Sequence, residues 1–179
     1  MAIRDVEIKR LENYAKGLGL KVSYKQAKRH DPAAAWVEGG TEIILYMSSS
    51  TSKTQLILNF LHELCHHHDW VERDRMDDPK LLEALNHPET NTLTKKERKL
   101  IFDDESRASQ YRESLAKTLG ITLPYYKLVA DIDFDVWDYG YFYEHGKYPT
   151  GTLRSKKRKE LRDKYKKEFG NKKCLEIIK

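Results

Sequence analysis

The stretch Leu58-Asn59-Phe60-Leu61-His62-Glu63-Leu64-Cys65-His66-His67-His68-Asp69-Trp70 constrains this chain more than any other. Inside it, His62-Glu63-Leu64-Cys65-His66 forms an H-E-x-x-H pattern. On a helix, residues four apart share a face, with Cβ atoms about 5–6 Å apart. Two imidazoles so placed can hold one metal ion, and zinc accepts neutral imidazole nitrogen. A catalytic zinc takes three protein ligands and leaves a fourth position to water. Glu63 is then not a ligand; it reaches that water from the side as general base. The pentapeptide recurs by chance in many helices, so its surroundings must decide.

Those surroundings read as a small sheet followed by helices. Asp5 can cap a first helix carrying Val6, Ile8, Leu11, Tyr14, Ala15 and Leu18, which Gly17 and Gly19 end. Residues 21–26 alternate as a strand. Residues 33–38 and 41–47 flank Gly39-Gly40 and predict a hairpin. Ser48 to Ser52 offer N-caps for a helix over about 53–71. Along it Ile57, Leu58, Leu61, Leu64, Cys65 and His68 share one stripe, with His62 and His66 beside it. The section 72–93 is charged and broken by Pro79 and Pro88, with a short helix at 81–85. Thr94-x-x-Glu97 is a capping box that opens a second long helix over about 95–119. Residues 121–149 are rich in aromatic side chains, most of them expected in the core. The expected class is α+β: a small, partly antiparallel sheet, an active-site helix, and a second long helix packed beside it.

Charge divides the chain. Residues 153–179 hold 12 Lys/Arg and 4 Asp/Glu, whereas the first 152 hold 21 and 24. The basic character therefore belongs to the tail, and we divide the chain into a body, 1–150, and a basic helical tail, 151–179. That tail reads most simply as a solvated amphipathic helix or a frayed end; its charge also favours non-specific contact with nucleic-acid phosphates through residues 153–179. No apolar run approaches the roughly 20 residues that span a bilayer, so no membrane association is expected. The first residues lack a signal core, and Cys65 and Cys174 make neither a disulfide framework nor a zinc ribbon. The expected location is the cytoplasm.

The third metal ligand has several candidates. Glu72 stands six residues after His66, a spacing used when glycine breaks the helix three residues after the second histidine; Asp69 occupies that position here. Asp69 lies nearly a turn too far along to share the ion, but can orient a ligand histidine. His87 lies in a loop 21 residues after His66. Asp104 and Glu105 lie on the second long helix, where acids near an apolar stripe are costly unless paired or metal-bound. Asp104 falls near the stripe's centre and Glu105 near its edge. His68 reads as a hydrogen-bonded core histidine, His67 as solvated, and Cys65 as a small buried hydrophobe.

With these residues, the chain resembles the ImmA/IrrE-type family of H-E-x-x-H zincin metallopeptidases over roughly residues 40–125. His62, Glu63 and His66 match the family's specific part. Glu105-Ser106-Arg107-Ala108-Ser109-Gln110-Tyr111-Arg112 resembles its downstream pattern E-x-x-A-[ND]-x-F-A. Ser109 replaces the amide or acid of that pattern, Tyr111 the Phe and Arg112 the final Ala. The resemblance implies a zincin-like fold and makes Glu105 the third zinc ligand. It implies Zn2+-dependent hydrolysis of a peptide bond in a protein partner, often a regulatory or DNA-bound one in phage and mobile-element biology. Zinc-bound water would be the nucleophile and Glu63 the base. His-Glu-Leu-Cys-His also resembles the SprT-type zincins, which act on DNA-associated proteins and take a downstream histidine as third ligand. His87 would serve there, although Pro88 follows it and no zinc ribbon is present. A different class remains: a non-catalytic protein that keeps the scaffold and binds partners through the basic tail. The intact Glu63 argues against it.

Overall fold

The computed structural model describes residues 6–28, 33–37, 40–73, 78–87 and 92–177. Its elements are α1 (Val6–Gly17), β1 (Lys21–Gln26), β2 (Ala34–Val37), β3 (Glu42–Met47), α2 (Lys53–Glu72), α3 (Pro79–Leu85), α4 (Lys95–Gln110), α5 (Arg112–Thr118), α6 (Tyr125–His145), α7 (Gly151–Phe169) and α8 (Cys174–Ile177). The class is α+β, with a three-stranded mixed sheet. The expected cap Asp5, the hairpin residue Gly39 and Pro88 lie outside the described residues.

β3 is the middle strand of the order β1-β3-β2. It pairs parallel with β1 and antiparallel with β2, so Ile43 has Val22 on one side and Trp36 on the other. Its run Ile43-Ile44-Leu45 is buried without alternation, the mark of a strand covered on both faces. Gly40 completes the β2–β3 connection with φ +65°, and a Cβ there would lie 2.6 Å from the Trp70 ring.

The remaining elements pack around α2. Ser52 caps it, accepting a hydrogen bond from the Gln55 amide at 3.2 Å. Leu56, Ile57, Leu58, Phe60, Leu61, Leu64 and Cys65 are all buried. They are spread around the helix, because β2 and β3 meet one part of its surface while α1, α4 and α5 meet the rest. Each fully buried large apolar side chain contributes about 1.5–3 kcal/mol. The motif histidines therefore sit on a helix held from several sides.

Downstream, α4 opens with the capping box predicted at Thr94 and Glu97, both reciprocal bonds being present. The single helix expected over 95–119 is two helices. The chain breaks at Tyr111, whose amide bonds the Ala108 carbonyl, three residues back. The new helix that follows presents Arg112 inward, where it is fully buried. The aromatic section forms α6, with Phe134 and Phe142 in the core. α7 packs along α6: Leu161 and Tyr165 cluster with Ala130 and Phe134. Cys174 of α8 enters the main core, and Lys173 bridges Pro124. The basic segment is thus seated on the body. Among the described residues, no helix is long and apolar enough to cross a membrane.

Candidate metal centre

His66 stands one helical turn, four positions, after His62, and their Nε2 atoms are 3.1 Å apart. Glu105, brought in by the packing of α4 on α2, places Oε2 3.2 Å from His62 Nε2 and 3.5 Å from His66 Nε2. Zinc bonds of about 2.0–2.1 Å in a tetrahedron require ligand atoms about 3.3–3.4 Å apart. The triangle His62–His66–Glu105 already has that size, and among the described residues it is a group able to hold a metal ion. Two imidazoles and one carboxylate form a donor set of catalytic zinc sites, which leaves a fourth position open. The residues present fit the ion.

Electrostatics bind the triangle even without a cation. Burial opposes a charge on His66, but the Glu105 and Asp104 carboxylates outweigh it and hold its pKa well above the ordinary value. Burial would push Glu105 up, yet His66 and His62 hold it well below the usual carboxylate range. Burial and the Glu105 carboxylate beside it push the Tyr139 hydroxyl of α6 well above its usual range.

Each histidine has a charged neighbour on its outer nitrogen, and at His66 it is a carboxylate, the usual partner of a metal-ligating imidazole. His66 Nδ1 faces Asp104 Oδ2 at 3.4 Å. Asp104 is held in turn by Arg107 at 3.0 Å and Arg73 at 3.4 Å. Both arginines also reach the buried Asp69, at 3.3 and 2.9 Å. On the other side, His62 Nδ1 meets Arg112 Nη2, with Asp135 Oδ2 3.8 Å away. Arg112 pairs with Asp135 and, at 3.2 Å, with Asp131. Arg112 can only donate, so in this arrangement His62 Nδ1 accepts, and Asp135 lies beyond hydrogen-bond range of it.

Glu63 is buried, 7% exposed, and its Oε2 accepts the Trp36 backbone N–H at 2.6 Å. Strand β2 thus fixes one carboxylate oxygen. Two clefts meet at His62 and Glu63. One, of about 710 Å³, is lined by Asp131, Asp135 and Asp138 of α6 with Arg154 and Arg158 of α7. The other, of about 470 Å³, adds His66 and Glu105 and is walled by Trp36, Leu81, Leu82 and Leu85. Tyr139 lines both.

The other sequence candidates lie apart from the triangle. His87 contacts Thr92 Oγ1 at 3.5 Å and is not in the cluster. Glu72 accepts the Tyr111 hydroxyl at 2.6 Å. Asp104 stands behind His66 rather than beside the metal position. His68 bonds the Tyr14 hydroxyl at 2.9 Å. His67, expected in solvent, is buried against the Trp36 and Trp70 rings, because β2 covers that side of α2. Cys65 is fully buried. The reading of the motifs missed Arg112, Asp131 and Asp135. The aspartates carried a signal, since Asp131, Asp135 and Asp138 recur at i, i+4 and i+7, one acidic face of a helix. Arg112 carried none beyond standing where the resembling family has Ala. No family model, curated protein or solved structure matches the chain.

Proposed function

We propose that the chain is a zinc-dependent metallopeptidase of the ImmA/IrrE type, with a zincin-like fold, hydrolysing a peptide bond in a protein partner. One observation carries the reading: His62 Nε2, His66 Nε2 and Glu105 Oε2 stand at tetrahedral spacing, with the Glu63 carboxylate beside them. Zinc held there would supply a water with a pKa of about 7 and would polarise a carbonyl. Glu63, anchored through Oε2, keeps its other oxygen to take the water's proton and return it to the leaving amine. Asp104 orients the His66 imidazole, Arg112 holds that of His62, and the half-buried Tyr139 lies beside Glu105. The two clefts give a polypeptide a path to either side of the reacting carbonyl.

The test pairs zinc titration with hydrolysis of an unstructured protein substrate. The wild-type chain should bind one zinc and cleave. Glu63→Gln should bind zinc equally while hydrolysis falls at least about 10²–10⁴-fold. Failure of the wild type to bind zinc, or undiminished hydrolysis by Glu63→Gln, rejects the proposal.

A further inference from the structure

α7 carries nine Lys and Arg and only three acids between Gly151 and Phe169. The fold sorts them by face. Inward, Leu161 and Tyr165 are buried on α6, Arg154 pairs with Asp138 at 2.8 Å, and Arg158 pairs with Asp131 at 3.5 Å. Arg158 also stacks over the Phe134 ring at 3.7 Å. Outward, Thr152, Ser155, Lys159, Arg162 and Lys166 are all exposed. They recur at alternating steps of three and four, which aligns them in one row along the helix. At 1.5 Å per residue the row is about 21 Å long. No acid interrupts it. Asp163 flanks it and pairs with Lys159 at 2.6 Å, an exposed i,i+4 contact that another anion readily displaces.

We propose that this row is a docking surface for the phosphate backbone of duplex DNA. Three cations and two hydroxyls in line are the side-chain types that contact phosphate. The row has no aromatic residue to stack an unpaired base, which a single-strand site uses. It has no apolar residue to enter a bilayer, because the apolar face of α7 is occupied by α6. The contacts are to phosphate, so binding is independent of base sequence. The surface is separate from the metal centre, and its test does not depend on catalysis.

The experiment is fluorescence anisotropy of the full chain with a labelled 20-base-pair duplex between 50 and 200 mM salt. Three phosphate contacts give a log–log salt slope of about −2.7, or about 40-fold weaker binding across that range. Lys159→Glu/Arg162→Glu/Lys166→Glu should weaken binding at 50 mM salt at least tenfold. Lys9→Glu/Lys16→Glu/Lys25→Glu, an equal charge change at exposed positions of α1 and β1, should change it less than threefold. Lys159→Ala/Arg162→Ala/Lys166→Ala, which favours the helix, should flatten the salt slope towards zero. The proposal is overturned by absence of wild-type binding at 50 mM salt. It is equally overturned if the two Glu variants lose binding alike, or if phosphatidylserine-containing vesicles bind more tightly than the duplex.

Discussion

Arg112→Met probes the support of the candidate metal centre without replacing a proposed ligand. Arg112 is 0% exposed, and its guanidinium lies between Asp131, Asp135 and His62 Nδ1. Methionine retains an apolar stem and removes the cation. A buried carboxylate, Asp131, and a half-buried one, Asp135, then face each other, and breaking a buried pair from one side costs about 3–5 kcal/mol. Arg158 still reaches Asp131 at 3.5 Å from a partly exposed position, which places the expected loss near the lower end, about 3 kcal/mol. For a chain of this length that lowers Tm by roughly 6–12 °C. Burial and the neighbouring Asp135 already raise Asp131 despite Arg112, and removing the cation raises it further. An acid whose folded pKa is raised destabilises the fold above that pKa and not below its unfolded value, about 3.9. The deficit against wild type should therefore shrink as pH falls. Urea unfolding followed by tryptophan fluorescence, at pH 7.5 and 4.5 with a chelator present, measures both quantities. Adding Asp131→Asn/Asp135→Asn to the Met variant should restore most of the loss, since a neutral cluster has no unpaired charge. A loss under about 1 kcal/mol at pH 7.5, or an equal loss at both pH values, would refute the reasoning that the cluster is held by charge.

Two further outcomes concern buried groups away from the triangle. Burial, only partly opposed by Arg154, pushes Asp138 up to about 6. Its contribution therefore destabilises the fold increasingly as pH rises from about 4 to about 6, by about 3 kcal/mol at most. Asp138→Asn should lose that dependence, and thermal melts of both proteins at pH 4, 6 and 8 check it; a constant difference between them contradicts the assignment. Burial also pushes the Cys65 and Cys174 thiols up to about 12. At pH 8 only about one thiol in 10⁴ is then thiolate, so an aromatic disulfide reagent should leave the native protein unlabelled and titrate two thiols in urea. Prompt labelling of the native chain at either position counts against the burial.

Local pattern carried much of the architecture. α1, β1, the β2–β3 hairpin, α2 and the capping box of α4 each announce themselves by periodicity, glycines or a cap, and each stands within a few residues of its expected place. The spacing of His62 and His66 was equally local. What the sequence did not display depends on how helices meet. Asp104 and Glu105 are adjacent, and the apolar stripe of α4 alone favoured Asp104. The rotation of α4 against α2 instead gives Glu105 the inner position and Asp104 the outer nitrogen of His66. The break at Tyr111 is invisible in helix propensity; after it Arg112 is buried against a helix that begins thirteen residues later. His67 was misjudged for a related cause. A one-stripe model of α2 leaves that position in solvent, whereas a helix surrounded by neighbours has no such side.

The separate tethers of the two histidines give the centre a mechanical character. The outer nitrogen of His66 is tied to α4 through Asp104, and that of His62 to α6 through Asp135 and Arg112. α7 is clamped to that second helix at Asp138 and Asp131. Glu105 of α4 faces both imidazoles, so the two tethers meet again in one carboxylate. The triangle therefore depends on how three helices meet, and α7 is joined to it by way of α6.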